Sequence, residues 1–223
     1  MDELIKINNI NKRFNEEVIF EKFDMNFYKN KVNCILGKSG CGKTTLLKIL
    51  SEIILNDTEY SNELESFKIS YIFQEDRLID WLSIEENITI TSKSQYDEKE
   101  LRNLCDKYLN LVGLKEYKNS YPRMLSGGMR QRVNIVRGFI YPSDVIIMDE
   151  PFKSIDIKNK EIIMKEVKNI LKKEKRTVIF VTHDIEEALY LGEKIIILGG
   201  RPISIKTALN NQNITKEEIY KFI

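Results

Sequence analysis

The chain is poor in several residues that would point elsewhere. In 223 residues it has one histidine, one tryptophan and four prolines. It has no apolar run of bilayer length: the longest, such as Val145 to Met148 and Ile195 to Leu198, fall far short of the roughly 20 residues that cross a membrane. Any service to a membrane is therefore expected from its cytosolic side. Three cysteines, Cys34, Cys41 and Cys105, are odd in number and scattered, with no pair at metal-ligand spacing, which fits a reduced, cytosolic compartment. Charge of one sign is also missing. Lys+Arg 35 against Asp+Glu 34 leaves a net +1, so no global field recruits nucleic acid or anionic lipid. No basic stripe carries interleaved aromatics, and no nucleic-acid partner is expected. The start, Met1-Asp2-Glu3-Leu4, is acidic and lacks the basic then apolar layout of a signal peptide. There is no internal repeat, low-complexity tract or long linker.

What is present is ordinary for a globular protein, with 42% hydrophobic and 31% charged residues. The length suits one large domain, or a core with a smaller lobe. The most informative stretch is Gly37-Lys38-Ser39-Gly40-Cys41-Gly42-Lys43-Thr44-Thr45. It lies between the apolar run Val32 to Leu36 and a helix-like segment Thr44 to Leu50. A strand that ends in a glycine-rich turn and then opens a helix turns several backbone N–H groups into one concavity, at the positive end of a helix dipole. That is a seat for polyphosphate. Lys43 can reach the β- and γ-phosphate oxygens, and the Thr44 hydroxyl can ligate Mg²⁺. Cys41 sits within this loop as a small filler or as a thiol close enough for a bulky reagent to block it.

Ile5 and Ile7, then Phe23, Met25 and Phe27, alternate with polar residues and predict two strands of a half-buried antiparallel layer. Phe14 is placed in the loop between them, either stacking its ring on a nucleobase or filling the rim of a core. A strand is expected over Ile69 to Phe73, ending in Gln74. Leu101, Leu104, Tyr108, Leu111 and Val112 have helical spacing, with Gly113 as a stop. Val145 to Met148 and Val178 to Val181 read as buried parallel strands, with an amphipathic helix marked by Ile162, Ile163, Val167, Ile170 and Leu171 between them. Asp184 caps a further helix. Gly199-Gly200 separates two late strands, and Thr215 with Glu218 forms a capping-box pattern. This order argues for an α/β fold whose parallel sheet carries helices on both faces, with chemistry collected at the carboxyl ends of the strands. Gly37, Gln74, Asp149 and His183 all follow such ends.

Asp149-Glu150 closes a buried strand with two carboxylates that can divide the work. Asp149 is suited to hold Mg²⁺, and Glu150 to act as general base on an attacking water. His183, the only histidine, stands just past a strand end in Val181-Thr182-His183-Asp184, where it can hydrogen-bond a γ-phosphate. In Leu125-Ser126-Gly127-Gly128-Met129-Arg130-Gln131, a hydroxyl and paired glycines lead into a helix expected over Met129 to Phe139, a second anion site. If a single ATP uses both sites, each must come from a different copy of the protein.

At these residues the chain resembles the ATP-binding-cassette (ABC) ATPases along nearly its full length. Gly37 to Thr45 is similar to the family's Walker A, Gln74 to its Q-loop glutamine and Leu125 to Gln131 to its signature motif. Val145 to Asp149 is similar to Walker B, Glu150 to the catalytic glutamate, Ser154-Ile155-Asp156 to the D-loop, His183 to the switch histidine and Phe14 to the A-loop aromatic. The resemblance implies a phosphate-loop, RecA-like core sheet with an antiparallel β lobe and a helical lobe. It implies one cassette domain over 1–223, with 1–74 and 141–223 forming core and antiparallel lobe and about 75–140 the helical lobe. It also implies catalysis by Glu150, His183, Gln74 and Lys43 on ATP, with Mg²⁺ held by Thr44, Gln74 and Asp149. Two cassettes would close head to tail over two ATPs, Ser126, Gly127 and Gly128 of one meeting the γ-phosphate held by Lys43 of the other.

Phe73-Gln74-Glu75-Asp76-Arg77-Leu78-Ile79-Asp80-Trp81-Leu82 is similar to the nitrate, sulfonate, taurine and thiamine-precursor branch of bacterial importers. There this stretch borders a groove for a coupling helix of a separate permease, which an extracytoplasmic solute-binding protein supplies. Trp81 is either part of that groove or a core anchor of the helical lobe. An exporter, a lipid-release complex and a soluble cassette ATPase are the alternatives within the family, and a phosphate-loop kinase or GTPase the one outside it. Asp80 stands where the branch commonly has proline. Lys153 and Ile155 replace smaller or leucine residues beside the D-loop. Lys43 and Gln74 are only 74 − 43 = 31 positions apart, with no glycine-containing hairpin between them, so a trimmed antiparallel lobe is expected.

Overall fold

The structure, a computed structural model, describes residues 3–211 and 214–223. The reading of Met1 and Asp2 at the start of the chain lies outside the described residues. Two sheets organise the fold. A six-stranded sheet has the order β5(Ile69–Ile72), β6(Val145–Asp149), β7(Thr177–Thr182), β3(Val32–Leu36), β8(Lys194–Gly199), β9(Ser204–Asn210). Every neighbouring pair in it is parallel except the last, where β8 and β9 run antiparallel. A smaller antiparallel sheet joins β1(Leu4–Phe14) to β2(Glu17–Tyr28) and to the two-residue β4(Ser61–Asn62).

β3, β6 and β7 are buried along their whole length, as parallel strands covered on both faces must be. Alternate residues divide between two cores. Ile35, Ile147, Ile179 and Val181 face α1(Lys43–Leu50) and the antiparallel sheet. Leu36, Met148, Val178 and Phe180 face the opposite helical layer. Each such side chain contributes about 1.5–3 kcal/mol by leaving water. The helical layer comprises α2(Ile84–Thr89), α3(Glu98–Leu111), α4(Gly127–Ile140), α5(Ile157–Glu174) and α6(Ile185–Leu191). A short α7(Lys216–Tyr220) follows, with the Thr215 and Glu218 capping box in place.

Several boundaries differ from the sequence reading. Phe14 is not in a loop: it is the last residue of β1 and pairs with Glu17, because the turn that follows is tight. The helix after the second glycine motif begins at Gly127 rather than Met129, since Ser126 accepts a hydrogen bond from the Met129 N–H and caps it. The core face beside α1 is covered partly by the antiparallel sheet instead of by helices alone.

Candidate active site

The phosphate loop hangs between β3 and α1. Gly42 is the N-cap of α1 with φ 99°, and no side chain caps that helix end. A Cβ at Gly42 would fall 2.3 Å from Ile203 Cδ1, so both the backbone conformation and the packing require glycine there. With no acidic residue in the first turn of α1, the N–H groups that lack intrahelical partners remain available to an anion. Lys43 is buried, and its ammonium donates to the Gly37 carbonyl at 2.7 Å and the Lys38 carbonyl at 2.9 Å. The head group thus lies across the loop. Lys38, Ser39 and Gly40 are exposed at its rim, and Cys41, Thr44 and Thr45 are half-buried.

Thr44 Oγ1 donates to Asp149 Oδ1 at 3.0 Å, linking the loop helix to the end of β6. Asp149 is only 2% exposed. Burial pushes its carboxyl above the usual range, more than the Thr44 hydrogen bond lowers it. The next residue, Glu150, is turned the other way by a left-handed backbone, φ 44°. Its Oε1 lies 3.2 Å from His183 Nδ1 and its Oε2 3.0 Å from the Lys153 ammonium. Burial acts to raise the Glu150 pKa, but Lys153 and His183 outweigh it and hold the carboxyl below its ordinary value. This group therefore stays ionised at neutral pH.

The loop that carries His183 is braced from below. Thr182 Oγ1 donates to Glu187 Oε2 at 2.7 Å, the Asp184 N–H donates to Thr182 Oγ1 at 3.0 Å, and Lys160 reaches Asp184 and Glu187 at 2.7 and 3.0 Å. The imidazole itself is about half exposed. Because β5, β6, β7 and β3 are successive neighbours, Gln74, Asp149, Glu150, His183 and the phosphate loop come to one edge of the sheet. Gln74 is exposed there, just past β5. Phe14 stands 46% exposed at the end of β1, with the Lys12 ammonium 5.5 Å from its ring centroid, a solvent-facing ring rather than a core one.

Ser126, Gly127 and Gly128 stand apart from this cluster. Among the described residues no hydrogen bond joins them to the phosphate loop. Of the three, Gly128 abuts the segment that follows Glu150: a Cβ on it would stand 2.9 Å from the Ser154 carbonyl oxygen. Three positions later on α4, Gln131 Nε2 donates to the Pro151 carbonyl at 3.0 Å. The same helix straps the stretch after Gln74. Asn134 Nδ2 donates to the Phe73 carbonyl at 2.8 Å, Arg137 donates to the Asp76 and Arg77 carbonyls at 2.8 and 3.0 Å, and Arg130 pairs with Asp76 at 2.9 Å. Past that stretch Trp81 is 79% exposed, so it is not a core anchor. A separate concavity of 730 Å³ is lined by Ser83, Glu86, Lys93, Tyr96 and Tyr121 among others, without Trp81. Sequence reasoning included Gln131 in the glycine motif without seeing its bond to Pro151, gave Lys160 and Glu187 no role, and passed over Lys153 as a mild change.

Fold and site together define a phosphate-loop nucleotide-binding domain. Comparison with known proteins narrows the class. Residues 20–153 match the family described as ABC transporter. The chain is 34% identical over 220 residues to the aliphatic sulfonates import ATP-binding protein SsuB of Bacillus anthracis, covering 93% of this chain and 86% of that one. It is 31% identical over 210 residues to SsuB 1 of Pseudomonas savastanoi pv. phaseolicola, with the same two coverages, 93% and 86%. Among solved structures, the dimeric post-hydrolysis state of the ATP-binding cassette MJ0796 bound to ADP and Pi aligns with a TM-score of 0.80 and 28% identity. That alignment covers 95% of this chain and 100% of the other. The chain belongs to the ABC transporter family, as an ATPase cassette of it. Among the described residues no helix is long and apolar enough to cross a membrane.

Proposed function

We propose that this protein is the ATP-hydrolysing subunit of a solute importer, a single cassette domain over 1–223 with a helical lobe at about 75–140, seated on the cytoplasmic face of the membrane. The observation that carries the reading is the convergence of Lys43, the Thr44–Asp149 pair and the Glu150–His183 pair at the ends of adjacent strands. ATP binds with its phosphates against the N–H groups of Gly37 to Thr45 and the Lys43 ammonium, and with its base on Phe14. A hydroxyl and a carboxylate 3.0 Å apart suit Mg²⁺, which prefers a few protein oxygens and keeps the rest for water and phosphate. Thr44 and Asp149 would hold it, with Gln74 nearby, and it would neutralise charge on the phosphates.

Glu150 takes a proton from water as the water oxygen bonds the γ-phosphorus. The bond from γ-phosphorus to the bridging oxygen breaks, and its electron pair stays on the β-phosphate of ADP. His183 orients the γ-phosphate. Ser126, Gly127 and Gly128 lie away from their own chain's phosphate loop and serve the ATP of a second copy, so closure of two copies over two ATPs completes each site. The similarity to MJ0796 in a dimeric state supports this. Exposed Trp81, just past the stretch that α4 holds, suits contact with a helix of a separate permease, and the α4 strap onto residues 73–77 would carry closure to it. The relatives' names favour a sulfonate-like organic anion as cargo, delivered from outside by a solute-binding protein.

The test is Glu150→Gln. ATP binding is retained and turnover falls by about 10²–10⁴, the range for a positioned general base. Turnover at the wild-type rate removes Glu150 from the role assigned to it.

A further inference from the structure

Both carboxylate oxygens of Glu150 are engaged, but by unlike partners. Oε1 meets the imidazole of His183 at 3.2 Å. Oε2 meets the Lys153 ammonium at 3.0 Å, a charge contact without hydrogen-bond alignment, and among the described residues has no other partner. A base can accept a proton from water only through an oxygen that water can approach. Oε2 is closed off from solvent, and the Lys153 ammonium stands on it.

The two ends of this ion pair differ in freedom. The Glu150 side chain is 10% exposed and that of Lys153 45%, so the ammonium can withdraw into water while the carboxylate stays. Lys153 is also tied to Glu150 through the backbone, its N–H donating to the Glu150 carbonyl at 3.2 Å. Helix α4 grips the chain on either side of it. Gln131 holds the Pro151 carbonyl at 3.0 Å, and Gly128 abuts the Ser154 carbonyl. A shift of α4 relative to the sheet must move the backbone that carries Lys153.

We infer that Lys153 is a latch on the general base: in the single cassette its ammonium covers Glu150 Oε2, and displacement of α4 when Ser126 to Gly128 engage a second copy's nucleotide withdraws it. This rests on the reading of Glu150 as the base. Lys153 is accordingly a positioning residue that sets the idle rate of hydrolysis. Its removal should release activity rather than abolish it.

The experiment measures steady-state ATP hydrolysis by the full chain at low protein concentration across a range of MgATP, beside fluorescent-nucleotide binding. Lys153→Met keeps the stem and deletes the charge. Its kcat rises about two- to fivefold, the factor set by no longer breaking a half-exposed ion pair, while KM stays at the wild-type value. Lys153→Arg restores the cation and returns kcat to the wild-type level. Lys153→Met combined with Glu150→Gln stays inactive, which places the gain on Glu150. If Lys153→Met binds nucleotide poorly, Lys153→Gln carries the same expectation with a polar head. A kcat equal to or below wild type in the variant that binds nucleotide overturns the latch, and so does a gain that Lys153→Arg shares. If Glu150→Gln alone remains active, the base assignment fails first and takes the latch with it. If Glu150→Gln is silent and Lys153→Met shows no gain, the latch fails alone.

Discussion

Gly128 lies so near Ser154 that a Cβ on it would be 2.9 Å from the Ser154 carbonyl oxygen, whereas a Cβ on Gly127 would meet nothing closer than Arg130 Nη2 at 4.0 Å. The two adjacent glycines therefore answer to different constraints. Gly128→Ala must push backbone aside and should cost about 1–3 kcal/mol, as overpacking does, against which a helix propensity gain of up to about 1 kcal/mol works. Gly127→Ala has room and should leave stability unchanged or slightly higher. Denaturant unfolding of the two variants separates them. Equal stability would mean that α4 does not press on the segment after Glu150.

Only one of the three thiols should react in the folded protein. Burial raises Cys34 well above the usual thiol range, helped by Glu187, and pushes Cys105 up to about 12. Both are fully buried, while Cys41 is half-exposed within the phosphate loop. Thiolate is the reactive form, so alkylation at neutral pH followed by mass spectrometry should find the label on Cys41 alone. A bulky label there should stop ATP hydrolysis, and ATP should slow the labelling. Full activity after confirmed modification of Cys41 would count against the placement of phosphate in this loop.

Trp81→Ala should leave the isolated chain's stability within about 0.5 kcal/mol, the usual span for an exposed position, because the ring is 79% exposed. A core tryptophan would cost about 3–5 kcal/mol. Thermal unfolding distinguishes the two at once. The same variant should lose co-purification with membranes that contain the permease.

The antiparallel lobe should weaken slightly in acid. The Lys12 hydrogen bond holds the Asp57 carboxyl below its ordinary pKa, and the Arg13 N–H adds to this at 2.7 Å. A carboxyl depressed on folding contributes stability above its unfolded pKa and loses it as pH falls through the lower folded value. The Asp57 carboxylate is exposed while Lys12 is mostly covered, so solvent screening keeps the contribution to no more than about 1 kcal/mol. Asp57→Asn should remove this part of the acid dependence, measured as the difference in unfolding midpoint between neutral and acid pH. An unchanged difference would refute the role of Asp57.

Much of this was legible in the sequence because it is local. The apolar runs at β3, β6 and β7, the glycine spacing around Lys43 and the capping residues Asp184 and Thr215 each announce themselves within a few positions. What was not legible depends on reach across the fold. Lys153 looks like a surface substitution until the left-handed turn at Glu150 brings the ammonium back onto Oε2. The straps from Arg130, Asn134 and Arg137 to residues 73–77 join positions more than 50 apart in sequence, and no periodicity records them. Phe14 was misplaced because a strand end and a loop differ only by a pairing with Glu17.

The central claim is that one chain supplies only half of each ATP site. Light scattering on Glu150→Gln, with and without MgATP, tests it most directly. The account predicts the 26.2 kDa mass of one chain without nucleotide and twice that with ATP, falling back when ATP is replaced by ADP. A mass that stays at one chain with ATP bound at saturation would contradict it.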